Sequence, residues 1–155
     1  MTNTVSSPPS ATLAAWVGLL RLHAGATRHV SAKLVGEHGL TLNDFEVLLH
    51  LSRAEEGRLR RVDLVERVLL TPSGITRLLD GLEEAGFVER LECPSDRRVV
   101  WAVLTSAGRE RLDGASKSHA DTVRALFEAR LDAEELATLA ALLERLTSAD
   151  APSCE

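Results

Sequence analysis

"TPSGITRLLDGLEEAGFVER", residues Thr71 to Arg90, decides how the whole chain is read. Thr71 can cap a helix, and Pro72 suits the first helical position, where the N–H it lacks would have no partner anyway. From there Ile75, Leu78, Leu79 and Leu82 fall at i, i+3, i+4 and i+7, a single apolar stripe. The opposite stripe holds Ser73, Thr76, Arg77 and Asp80, with Glu83 and Glu84 confined to the far end. Gly74 is the anomaly, because glycine costs a helix roughly 1 kcal/mol relative to alanine.

A helix with small, hydrogen-bonding side chains at its leading end suits the major groove of DNA. Ser, Thr and Arg can reach base edges or phosphates, the acids stay at the far end, and the helix N-terminus adds a partial positive charge. Gly74 then provides clearance for a close approach. An ordinary amphipathic helix with a solvated polar face accounts for the same residues, so the neighbouring sequence has to decide.

Upstream, a short helix around Val62 to Val68 would bury Leu64, Val65 and Val68. Downstream, Phe87 to Glu92 and Val99 to Leu104 are short runs with β-branched and aromatic residues, separated by "CPSDRR", and fit a hairpin. Helix, turn, amphipathic helix and hairpin in that order make a helix-turn-helix with a β wing. Arg97 and Arg98 at the wing tip can enter a narrow minor groove. Asp96, repelled by DNA, is expected to orient a neighbouring arginine.

The flanks are helical. Ser10 caps a helix running to about Glu37, with Leu13, Trp16, Val17, Leu20, Ala24, Val30 and Leu34 at helical spacing and Thr27 as an interruption. Thr41 and Asp44 form a capping-box start for a helix burying Phe45, Leu48 and Leu49, and "AEEGR" (Ala54–Arg58) reads as a polar break. Thr105 caps a long helix to about Arg130. Asp132 and Glu135 open a last one carrying Leu136, Leu139, Ala140, Leu143 and Leu146. The order is four helices, two strands, two helices. Residues 1–9 are expected to be a flexible arm and 149–155 a frayed tail.

At 155 residues the chain is read as one domain. The net charge of −5 argues against a nucleic-acid partner, but its distribution softens the objection. Residues 58–98 hold eight arginines (58, 60, 61, 67, 77, 90, 97, 98) and eight acids (63, 66, 80, 83, 84, 89, 92, 96), so the remainder carries the −5. Cys93 and Cys154 make no CxxC pair or zinc spacing, so no metal or other cofactor is expected. No apolar run approaches the ~20 residues of a membrane span, and a soluble cytoplasmic protein is expected. There is no Ser/His/Asp context and no phosphate loop, so an enzyme is not.

"LVERVLLTPSGITRLLDGLEEAGFVER", then "DRR", then Thr105 with "SAGRERL" resembles the MarR (multiple antibiotic resistance regulator) family of winged helix-turn-helix transcription factors. The likeness covers nearly the whole chain, including "GLTLNDFEVLLHL" (Gly39–Leu51) and an Asp-x-Arg wing signature at Asp96 and Arg98. It implies a mainly α fold with a small β-hairpin wing: a winged helix-turn-helix lobe at about 41–104 between dimerisation helices at about 10–37 and 105–148. It further implies a homodimer reading a pseudo-palindromic operator in double-stranded DNA. Thr71, Pro72, Ser73, Gly74, Thr76 and Arg77 would lie at the major groove, and Asp96, Arg97 and Arg98 at the minor groove. The leucine-rich surface of the terminal helices separately favours a dimer, although a monomeric bundle would bury the same stripes.

Many members of that family are repressors released by small aromatic or phenolic ligands bound between the dimerisation helices and the lobe. Here Trp16, His23, Phe45, Glu46 and His50, with His29 nearby, could line such a pocket, whereas His119 reads as a core residue. Cys93, beside Glu92, is expected to have a raised pKa and to be inert. The competing reading is a winged-helix module that binds protein and not DNA, supported by the acidic net charge and the scarcity of lysine.

Overall fold

The computed structural model describes residues 10–68 and 70–148; the expected arm, the expected tail and Cys154 lie outside them. Helices α1 (Ala11–His38) and α2 (Leu42–Arg53) lead into strand β1 (Arg58–Arg60) and helices α3 (Arg61–Val68) and α4 (Pro72–Glu84). Strands β2 (Val88–Glu92) and β3 (Val100–Leu104) follow, and then α5 (Ser106–Glu128) and α6 (Ala133–Ser148).

The helix starts follow the local chemistry closely. Ser10 Oγ accepts from Leu13 N–H, Thr105 Oγ1 from Gly108 N–H, and Thr41 with Asp44 closes a reciprocal capping box. Asp132 and Glu135 exchange the same pair of bonds at 2.9 and 3.0 Å. Each such cap contributes about 1 kcal/mol. Gly39, in the left-handed region at φ 68°, closes α1.

One element departs from the sequence reading. The break at "AEEGR" contains a single tight turn, with Glu56 at φ 54° and Gly57 at φ 65°, and then a third strand. β1 pairs antiparallel with β3 (Arg58 with Val103, Leu59 with Ala102, Arg60 with Trp101), giving the order β1-β3-β2. Three residues are too few to show an alternation in sequence; what holds them is the free edge of β3 and the burial of Leu59. Arg58 faces outward, its guanidinium 5.1 Å from the Trp101 ring centroid and paired with Glu56.

The core lies between α2, α3, α4 and the inner face of the sheet. Val47, Leu48, Leu51, Leu64 and Ile75 are fully enclosed, joined by Phe45, Leu79, Leu82, Val88 and Ala102. Each large aliphatic side chain buried this way contributes about 1.5–3 kcal/mol. From α1 only Val30 and Leu34 join the core, and from α5 Leu112 and Ala115. The outer half of α1 leaves Leu13, Trp16, Val17 and Leu20 exposed, and α6 buries no residue, so its leucine stripe stands in the open.

α5 is bolted to the root of the wing. Thr105 Oγ1 donates to Gly86 O at 2.7 Å, and Thr105 N–H donates to Phe87 O at 3.1 Å. A Cβ at Gly108 would fall 2.1 Å from Phe87 O, so only glycine lets the strand backbone lie against this helix. One turn on, Arg111 donates to His38 O at 2.8 Å and sits 5.1 Å from the Phe87 ring centroid. The end of α1, the start of β2 and the start of α5 therefore meet at one junction.

Candidate nucleic-acid interface and the adjoining cleft

Thr71 accepts from Gly74 N–H at 3.1 Å, and Pro72 takes the first helical position. Ile75, Leu79 and Leu82 turn inward, while Ser73, Arg77 and Asp80 are exposed on the opposite side and Thr76 is half-buried. The Thr76 hydroxyl donates to Pro72 O at 2.9 Å, which turns its hydrogen into the helix and leaves the methyl group and lone pairs for an approaching ligand. Gly74 has a local reason as well as clearance: a Cβ there would lie 3.1 Å from Thr71 Oγ1, crowding the cap.

The wing projects from the sheet beyond Glu92. Asp96 Oδ1 accepts from Arg98 N–H at 3.0 Å and from its Nε–H at 3.2 Å, the orienting role expected of that aspartate. The Arg98 side chain is nonetheless 93% exposed. Among the described residues, Arg77 and Arg97 pair with no carboxylate.

Arg90 on β2, one of the eight arginines of residues 58–98, pairs with two of the three acids of α4, Asp80 and Glu83, and leaves Glu84 at the helix end. Its Nη2 donates to Asp80 Oδ1, and its Nε lies 2.9 Å from Glu83 Oε2 in a contact that is ionic, since the N–H is not aligned on that oxygen. The spacing of Asp80 and Glu83, three apart on one helical face, was the available signal for a shared cation. With Asp80, Glu83 and Asp96 all engaged by arginine, Arg77 and Arg97 remain without an acidic partner among the described residues.

Cys93, at the start of the wing loop, reverses the expected pKa shift. Its Sγ lies 3.1 Å from Ser95 Oγ, and hydrogen bonds from the Ser95 hydroxyl and from the Ser95 and Asp96 amides hold the thiol below its ordinary value, outweighing burial and the Asp96 charge.

Of the residues expected around a small ligand, only two come together. His23 and Glu46 meet in a cleft of about 590 Å³ between α1, α2 and the α3–α4 turn, lined also by Arg28, Ser31, Leu42, Val68 and Leu70. Burial raises the Glu46 pKa, partly opposed by the charges of His50 and His23. His50 acts on the site through that field and does not line it. Phe45 faces away into the core, and Trp16 stands 58% exposed on the outer half of α1. Arg28 and Ser31 were missed because a cleft between elements leaves no periodic trace in either. His29 lines a separate groove between α1 and α5. Among the described residues no group of three or more His, Cys, Asp or Glu side chains is placed to hold a metal ion, and no helix is long and apolar enough to cross a membrane.

Known proteins share this fold. A model of the MarR family matches residues 38–99. The HTH-type transcriptional repressor YetL of Bacillus subtilis is 34% identical over 122 residues, 77% of this chain and 73% of the relative. Sco3205, a MarR family transcriptional regulator from Streptomyces coelicolor solved in complex with DNA, superposes with a TM-score of 0.83 at 26% identity, covering 97% of this chain and 95% of that one. AbsC, a MarR family regulator from the same organism, gives 0.79 at 30% identity, covering 93% and 97%.

Proposed function

The chain belongs to the MarR family of transcriptional regulators, and on that premise we propose that it is a homodimeric, sequence-specific repressor that binds a pseudo-palindromic operator and is released by a small ligand. α4 enters the major groove with Ser73, Thr76 and Arg77 toward the bases, and Thr71, Pro72 and Gly74 shape its leading end. Arg97 and Arg98 reach the minor groove, with Asp96 setting the pose of Arg98. The observation that carries this reading is the exposed polar face of α4 standing beside a wing on which Arg97 pairs with no carboxylate among the described residues and Arg98, held by Asp96, is 93% exposed. Repression is inferred from YetL, whose name records it.

The terminal helices support the dimer. Leu13, Trp16, Val17 and Leu20 of α1 and Leu142, Leu143 and Leu146 of α6 are exposed in the single chain, and surface of that kind is the signature of an interface. Half-site centres are then about 10 bp apart, or a multiple of that, as two symmetric lobes on one duplex require. For the effector, the cleft at His23 and Glu46 sets the apolar Leu42, Val68 and Leu70 beside convergent polar groups that include Arg28 and Ser31, and polar groups of that kind fix a ligand's orientation in a small-molecule site.

Fluorescence anisotropy tests the reading, using labelled duplexes tiled across the intergenic DNA beside the gene, at near-physiological salt with unrelated competitor DNA. Saturable binding to one duplex at nanomolar protein is expected. Equal, weak binding to every duplex would move the reading to a winged-helix module that recognises protein.

A further inference from the structure

A helix that reads DNA is poorly served by carboxylates on its exposed side, and α4 carries three, Asp80, Glu83 and, at its last position, Glu84. Asp80 shares the stripe of Ser73, Thr76 and Arg77, and Glu83 lies one turn further along. Both are substantially exposed, so burial does not silence their charge. Unpaired, they would oppose the phosphates of any duplex docked on this face. Arg90 lies on the neighbouring strand, with its guanidinium between the two: bonded to Asp80 and 2.9 Å from Glu83. It is the more enclosed partner of each pair, its side chain 29% exposed, so its own charge is turned to the acids and not outward.

The geometry points to Arg90 as a charge-masking residue for DNA binding, one that holds the Asp80 and Glu83 carboxylates off the duplex and so lets an acidic helix dock. This rests on the placement of α4 in the major groove. Arg90 acts through the two acids without touching DNA, and its removal is felt as repulsion, equal for specific and unrelated sequences and weakened by salt.

Arg90→Gln separates this from a purely structural role when compared with the triple variant Arg90→Gln/Asp80→Asn/Glu83→Gln. The single variant is expected to bind operator DNA at least about tenfold more weakly at low salt, the deficit shrinking as salt rises and the Debye length contracts. The triple variant lacks both the arginine and the charges it masks, and is expected to bind within about threefold of the parent, since a screened or absent charge contributes little. Melting temperature and dimer mass are followed in parallel. A folded, dimeric triple variant that stays weak would overturn the proposal, because Arg90 would then be holding geometry or touching phosphate. An unchanged single variant would overturn it as well. If Arg90→Gln alone does not fold, the triple variant still decides. Failure of the parent protein to bind any duplex would instead refute the DNA-reading assignment of α4.

Discussion

Phe45 of α2 and His119 of α5 stack with ring centroids 4.4 Å apart and planes 22° from parallel, fastening the DNA-reading lobe to the long C-terminal helix. Burial pushes the His119 pKa below its ordinary 6.5. The folded state therefore binds fewer protons than the unfolded state as pH falls through about 6.5, and stability is present above that range and lost below it. Thermal melts of the parent should fall in midpoint between pH 7 and pH 5, and His119→Phe should flatten that dependence. An unchanged slope in the variant would locate the acid-labile group elsewhere.

Arg98→Ala removes a 93% exposed cation of the wing while leaving the sheet and core untouched. Melting temperature and dimer mass should stay near the parent values, since exposed surface changes are usually within about 0.5 kcal/mol. Operator affinity should drop by tenfold or more, because a good groove contact discriminates by about 1–3 kcal/mol. Anisotropy titration of the two proteins on one duplex measures the difference.

Gly74→Ala sets two local effects against each other. Alanine gains about 1 kcal/mol of helix propensity, but its Cβ would crowd the Thr71 oxygen at 3.1 Å and weaken a cap of similar value. Stability should change by less than about 1 kcal/mol while the added methyl group obstructs the groove. The result expected is a folded protein with markedly reduced operator affinity. Affinity equal to the parent's would mean that Gly74 serves the cap alone.

Leu143→Glu on the open stripe of α6 should shift the protein toward monomer in sedimentation and weaken operator binding in proportion, since a single lobe covers one half-site. A variant that remains a dimer would move the interface off this stripe.

With Asp80, Glu83 and Asp96 neutralised by arginine, few cations remain for phosphate, and each contact contributes about 0.9 to the dependence of log affinity on log salt. The slope should be shallow compared with that of a strongly basic binder. Binding measured across a salt series reads it directly, and a steep slope would reveal phosphate contacts beyond the arginines of α4 and the wing.

Where a residue's partner lies within a few positions, the sequence was legible. Thr41 with Asp44, Asp132 with Glu135, Thr71 with Gly74, and Asp96 with Arg98 were all readable from spacing, as was the inward stripe of α4. What escaped depends on distant partners. β1 exists because β3 offers a free edge more than forty residues away, and the pairing of Arg90 with Asp80 spans a helix end and a turn. The Cys93 thiol was misjudged by its neighbour in the chain, Glu92, when the groups that bear on it come from the turn two and three residues on. His23 and Glu46 share a cleft, while Trp16, Phe45 and His50 do not line it, because three-dimensional convergence is set by helix packing and not by residue type.

The missing side chain at Gly108 makes a lever of α5. With Phe87 O against bare helix backbone, strand and helix have no compressible layer between them, and the root of the wing must travel with the helix. α5 has 23 residues, so at 1.5 Å per residue it is about 34 Å long. A tilt of roughly 5° about its far end would sweep the wing root by about 3 Å, comparable to the reach of one hydrogen bond. Small rearrangements at the far end of that rod are thus magnified at the wing root, and a side chain at Gly108 would break the coupling at that junction while leaving the far end untouched.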